Sequence, residues 1–145
     1  MGNQDKMSTP GRWMSLDIGT KRVGIALSDP LGITARPFSV IPRKPRLFDH
    51  IQTLVQEYEV RGIVVGIPRR TGGEETDLCD QVRQLASELE ERLGIKVRVF
   101  DERYSTKEAE RIMSEQGIPI RERRARRDAF AAAVILQWFL EEHDR

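Results

Sequence analysis

The stretch Trp13-Met14-Ser15-Leu16-Asp17-Ile18-Gly19-Thr20-Lys21-Arg22-Val23-Gly24-Ile25-Ala26-Leu27 reads as two short apolar strands joined by a tight turn. Trp13 to Ile18 carries a carboxylate near its end, Gly19 to Lys21 turn the chain, and Arg22 to Ser28 return as the second strand, a hairpin. A carboxylate beside such a turn can face a metal ion or phosphates, because the small Gly19 lets another group approach closely.

Asp29-Pro30-Leu31-Gly32 is a turn, and Ile33 to Ile41 is expected as a third antiparallel strand interrupted at Pro37. Pro37, Pro42 and Pro45 suit an edge strand and its exit loop. Leu47, Phe48, Ile51, Leu54, Val55 and Tyr58 follow helical spacing. Ile63-Val64-Val65, closed by Gly66-Ile67-Pro68, has the continuously apolar character of a parallel strand buried on both faces. A polar loop from Arg69 to Glu75 leads to a helix from about Glu74 to Leu93, stopped by Gly94.

Val97 to Phe100 is the fifth strand, ending in Asp101-Glu102-Arg103. Thr106 to Gly117 reads as a helix capped by Ser105 or Thr106. A last helix, apolar nearly all round and therefore largely buried, is expected from about Arg127. Three antiparallel strands followed by alternating helix and strand predict an α/β fold: a mixed five-stranded sheet with helices on both faces. Right-handed crossovers place the fourth strand beside the first, and their ends open side by side where such folds bind ligands.

Composition bounds the function. The 145 residues suit one domain, expected over residues 13–145 behind a disordered polar tail at 1–12. Cys79 is the sole cysteine, which excludes an intramolecular disulfide and a Cys-rich zinc site. The tail lacks the apolar core of a signal peptide, and no apolar stretch is long enough to span a membrane, so a soluble protein of a reducing cytoplasm is expected. Charged residues make up 32% of the chain yet nearly cancel, to a formal +1. The balance hides a basic run, Arg121-Glu122-Arg123-Arg124-Ala125-Arg126-Arg127, immediately before Asp128.

Asp17, Asp101 and Asp128 all fall at the ends of apolar elements. Each alone has a structural reading: a turn aspartate, a solvated strand end, a helix N-cap. Their joint placement points to a divalent metal site, since converging carboxylates repel one another unless a cation sits among them. Neighbouring strand residues point to opposite faces. Asp101 shares its parity with Val97 and Val99, and Glu102 with Phe100; parity alone does not decide which face holds the site, and Asp101 is favoured as the ligand, with Glu102 pairing with an arginine or serving as a supporting or alternative acid. Two carboxylate-bound ions, Mg²⁺ or Mn²⁺, about 3.5–4 Å apart clamp the attacking and leaving oxygens of a phosphodiester. Neither His50 nor His143 is placed to act in such a site.

Lys21, Arg22, Arg69, Arg70 and Arg103 lie in loops at the carboxylate edge and are candidate phosphate binders. Arg121, Arg123, Arg124, Arg126 and Arg127, in a stretch with almost no apolar anchor, are expected to form a mobile phosphate-seeking loop between helices. Such contacts supply salt-dependent affinity with little sequence preference.

Asp17-Ile18-Gly19-Thr20-Lys21-Arg22-Val23-Gly24, Ala35-Arg36-Pro37, Val65-Gly66-Ile67-Pro68, Asp101-Glu102-Arg103-Tyr104-Ser105-Thr106 and Asp128-Ala129-Phe130-Ala131-Ala132 together resemble the YqgF family. These are small bacterial pre-16S rRNA nucleases related to RuvC-type Holliday junction resolvases. The resemblance runs from Trp13 to Leu140. It implies a ribonuclease-H-like fold, metal-dependent cleavage at the 5′ end of the small-subunit rRNA precursor, and Asp17, Asp101 and Asp128 as the acidic set. The chain departs from the family at Arg69-Arg70-Thr71-Gly72-Gly73, where a neutral loop is usual.

The implied partners are precursor rRNA, branched DNA or ribosomal particles, bound by a monomer or weak homodimer. Two readings compete. An actin- or sugar-kinase-like ATPase also uses Asp-x-Gly-Thr, but it needs a second lobe for which this chain has no room. A non-catalytic RNA-binding module would need the arginines and not the aspartates.

Overall fold

The hairpin is present. β1 (Arg12–Ile18) and β2 (Arg22–Ser28) pair antiparallel, with Asp17 opposite Gly24 and Ile18 opposite Val23. The turn is closed by the Gly19 amide, which donates to the Arg22 carbonyl at 2.8 Å. A computed structural model describes residues 11–68, 76–101 and 103–143 of the chain. β3 (Ala35–Pro42) continues the antiparallel set, with a register shift opposite Ile25 and Ala26. β4 (Val60–Ile67) and β5 (Lys96–Asp101) then add parallel strands, in the order β3-β2-β1-β4-β5.

The helices are α1 (Leu47–Glu57), α2 (Asp77–Leu93), α3 (Ser105–Glu115) and α4 (Ile120–His143). Strand alternation divides them between the faces. Met14, Leu16 and Ile18 of β1 and Ile63, Val65 and Ile67 of β4 pack against Ile51 of α1 and Val82, Ala86 and Leu89 of α2. The other face presents Trp13, Ala26, Val64 and Phe100 to Ala132, Ile135, Leu136 and Phe139 of α4. The alanines of α4 bring its axis close to the sheet. α3 lies on α4 through Ala109 and Met113 against Phe130, Ala131 and Val134. α2 stops at Gly94, whose φ of 69° is the left-handed turn that glycine adopts without strain.

Three expectations need correction. The basic run is not a mobile loop: Arg121 to Arg127 are the first turns of α4, which begins at Ile120 and not near Arg127. Arginine is nearly as good a helix former as leucine, and Pro119 just before the helix suits its start. The long apolar segment behind the run removes the cost of nucleation. Asp128 is therefore an interior helix residue, not a cap. Arg12 belongs to β1 rather than to a disordered tail, its guanidinium donating to the Ser28 carbonyl at 2.9 Å; residues 1–10 lie outside the described set. Finally, α3 begins at Ser105, and the residue before it is Tyr104 in the left-handed conformation, with no side-chain cap. Among the described residues no helix is long and apolar enough to cross a membrane.

Candidate functional site

The site is built where α4 crosses β1. The two run in opposite directions, with Trp13 against Phe139 at 5.0 Å between ring centroids and the Ser15 hydroxyl donating to the Ala132 carbonyl at 2.5 Å. From Ser15 to Asp17 the strand advances about 6.6 Å. From Ala132 to Asp128 the helix retreats about 6 Å. The steps match, so Asp17, on the same strand face as Ser15, comes level with Asp128.

Gly24 sets the distance between them. It pairs with Asp17 across the hairpin, and a Cβ there would sit 2.1 Å from the Asp128 carbonyl oxygen and 2.8 Å from its Cβ. Only a hydrogen on that face lets the helix approach so closely. Two carboxylates from distant parts of the chain thus flank one spot on β2. Asp128 also accepts from the Arg22 Nε at 3.3 Å, with the arginine 55% exposed, so solvent screens this pair and leaves the guanidinium able to turn outward.

Asp101 is treated differently. The register sets Ile67 beside Asp101 at the same end of the sheet, on the second strand over from β1. Its carboxylate is engaged by Arg103, which donates its backbone amide at 2.8 Å and its guanidinium at 3.0 and 2.7 Å. Those hydrogen bonds raise the Arg103 guanidinium further above its ordinary value. Val97 packs toward α1 and α2 whereas Phe100 packs toward α4. Asp101 shares the parity of Val97, yet as the last residue of β5 it also lines a hollow with Phe100 and with Trp138 of α4, so alternation does not fix the face of its carboxylate. Among the described residues no three His, Cys, Asp or Glu side chains stand close enough to hold one metal ion. Glu102, Arg69 and Arg70 lie outside the described residues.

The candidate cations separate into groups. Lys21 and Arg22 are exposed at the hairpin turn. Arg121, Arg124 and Arg126 are exposed on the first turns of α4, with Arg126 over the Phe130 ring at 5.4 Å. Arg123 and Arg127 hold structure together: Arg123 Nε donates to the Ile118 carbonyl at 2.8 Å, and Arg127 pairs with Glu110 of α3 at 2.5 Å.

Sequence reasoning missed Ser15, Gly24 and Arg43. The Arg43 guanidinium donates to the Gly19 carbonyl at 3.1 Å and to Gln81 of α2 at 3.2 Å, while its amide donates to the Lys21 carbonyl. It braces the turn beyond Asp17. No local pattern marks a long-range brace of this kind. Gly24 carries a readable signal, a glycine inside an apolar strand, which marks a close approach of another backbone.

A mixed sheet of this order, with acids at its open end and on the helix across it, is the ribonuclease-H-like fold. The solved structure of Thermus thermophilus RuvC in complex with Holliday junction substrate shares it, with a TM-score of 0.57 over 92% of this chain and 96% of that one at 13% identity. A second structure of RuvC from that organism has a TM-score of 0.54. Within that class, the chain belongs to the RuvX family, described as Holliday junction resolvases, whose family model matches residues 11–142. Relatives from Syntrophus aciditrophicus and Lachnospira eligens are 45% and 41% identical. The first match covers 90% of this chain and 88% of the relative, and the second 92% and 99%. Both are provisionally named pre-16S rRNA nucleases.

Proposed function

We propose that this chain is a metal-dependent endonuclease that hydrolyses phosphodiester bonds and processes the 5′ end of the 16S rRNA precursor, on its own or within ribosomal particles. The observation that carries this reading is the approach of Asp17 and Asp128 across Gly24, at an open sheet end rimmed by Lys21 and Arg22. The names of the relatives supply the substrate.

The donor set suits a hard divalent ion. Mg²⁺ is held by one or two carboxylates together with waters and substrate phosphates, so Asp17 and Asp128 with one acid from the end of β5 would suffice for it or for Mn²⁺. Asp101 and Glu102 are the candidates for that third place. The Asp101 carboxylate already holds the Arg103 guanidinium, which supports Glu102 for that place. When bound, the ion supplies an activated water and charge stabilisation at the leaving oxygen, paired ions being the arrangement proposed.

The chain's own residues do the rest. Lys21 and Arg22 hold phosphate, and Arg22 exchanges its partner from Asp128 to the substrate. Arg103, fixed by Asp101, offers its face at the strand end. The exposed arginines of α4 hold the flanking backbone, and Arg123 and Arg127 keep the helix start in place. Water is the nucleophile, and no covalent enzyme intermediate forms.

The test uses one preparation on a precursor rRNA fragment and on a four-way DNA junction, with Mg²⁺ or Mn²⁺. Asp17→Asn is expected to lower cleavage at least a hundredfold while the chain stays folded, and excess chelator is expected to stop it. Full activity in chelator would end the metal reading. Preferred cleavage of the junction would replace rRNA processing by junction resolution, the activity in the family's description. Asp101→Asn beside Glu102→Gln assigns the third acid.

A further inference from the structure

Beyond the acidic pair, a concavity of about 570 Å³ opens where the end of β5 meets the last turns of α4. It is lined by the aromatic side chains of Phe100, Tyr104 and Trp138, by Asp101 and Arg103, and by Glu141 and Glu142. Phe100 is held edge-on to Phe139 at 6.2 Å, and Arg103 by its two guanidinium bonds to Asp101. Tyr104 is 56% exposed.

We propose that this concavity receives one unpaired nucleobase of the RNA substrate, guanine before the others. The proposal rests on the nuclease reading above. The chemistry of the walls selects the occupant. Glu141 and Glu142 repel phosphate, so the sugar–phosphate backbone stays outside. Aromatic rings offer faces on which a base stacks. The volume is in the range of small-ligand sites. Carboxylates only accept hydrogen bonds, and guanine presents two adjacent N–H groups that match a carboxylate's two oxygens. Asp101 ends β5 at the same end of the sheet as Asp17, while Glu141 lies about 20 Å along α4 from Asp128, so a base seated there holds the RNA strand at a distance from the acidic pair. Single-stranded segments, whose bases can be splayed out, satisfy this; a closed duplex does not.

The test is a double-mutant cycle on binding, in chelator so that no cleavage intervenes. The probes are short single-stranded RNAs of uridine with one central guanosine, and the same RNA with an abasic residue at that place. Wild type is expected to bind the guanosine RNA about tenfold more tightly than the abasic one. Tyr104→Ala is expected to remove most of that difference, and Tyr104→Phe to keep it. The salt dependence of binding is expected to stay the same in all three, since every phosphate keeps its cationic partner. Equal discrimination by wild type and Tyr104→Ala, with RNA still bound, overturns the base subsite and leaves the nuclease reading standing. Failure to bind either RNA overturns the nuclease reading and the subsite with it.

Discussion

At Gly24 a missing side chain decides how near Asp128 stands to β2, and hence to Asp17. A methyl group there meets backbone at 2.1 Å, and backbone cannot rotate away as a flexible side chain can. Gly24→Ala is therefore expected to push α4 outward at its acidic turn. Overpacking of this kind costs about 1–3 kcal/mol of stability, read by denaturant or thermal unfolding. A displacement of about 1 Å at a catalytic group costs on the order of a hundredfold in rate, so cleavage by the folded variant is expected to fall by about that much. Unchanged cleavage would show that the separation of Asp17 and Asp128 does not matter. Asp29 is a carboxylate of the opposite kind. Backbone amides of Thr34, Ile33 and Leu31 hydrogen-bond to it and hold its carboxyl below the ordinary aspartate range, which shapes the β2–β3 turn and gives no sign of chemistry.

The element that differs most from its reading is the start of α4. Its arginines lack apolar periodicity, the signal by which a helix is read from sequence. The helix is stabilised from elsewhere, by the apolar turns that follow and by Arg127 on Glu110 and Arg123 on Ile118. Helix formation spreads from such an anchored segment at little cost per residue. The consequence for binding is rigidity: Arg121 and Arg124 are neighbours on one surface of a helix and meet phosphates already in place. Replacing both by alanine, a strong helix former, is expected to leave thermal stability nearly unchanged. The slope of log affinity against log salt for single-stranded RNA should drop by about 0.7 for each phosphate that no longer meets an arginine. An unchanged slope would move the phosphate-binding surface to the hairpin. The strands were far more legible. In β1, Ser15 and Asp17 alternate with Met14, Leu16 and Ile18, and the solid apolar runs of β2 and β4 mark strands buried on both faces. The carboxylate edge was legible for the same reason, because strand ends follow from strands. The choice between Asp101 and Glu102 was not, since alternation along a strand does not tell which of its faces carries the site.

Across the whole molecule the two faces of the sheet have separate work. One holds α1 and α2 and contributes core; the other holds α4 and carries Asp17 and Asp128. Leu89 of α2 is fully buried on the face away from the site. Leu89→Ala is expected to cost about 2–5 kcal/mol of stability and to leave cleavage per folded molecule unchanged. A rate loss beyond the unfolded fraction would show that the faces are coupled. The hydrogen bond from Ser15 to Ala132 joins residues 117 positions apart. Pairings this distant in sequence close late, after the chain has met a large loop-closure entropy. A growing chain can complete its hairpin early, yet it holds only half of the acidic pair until the α4 segment has been made and laid down. The order of synthesis therefore works as a timer: the acidic pair is complete only once the α4 segment has followed the hairpin.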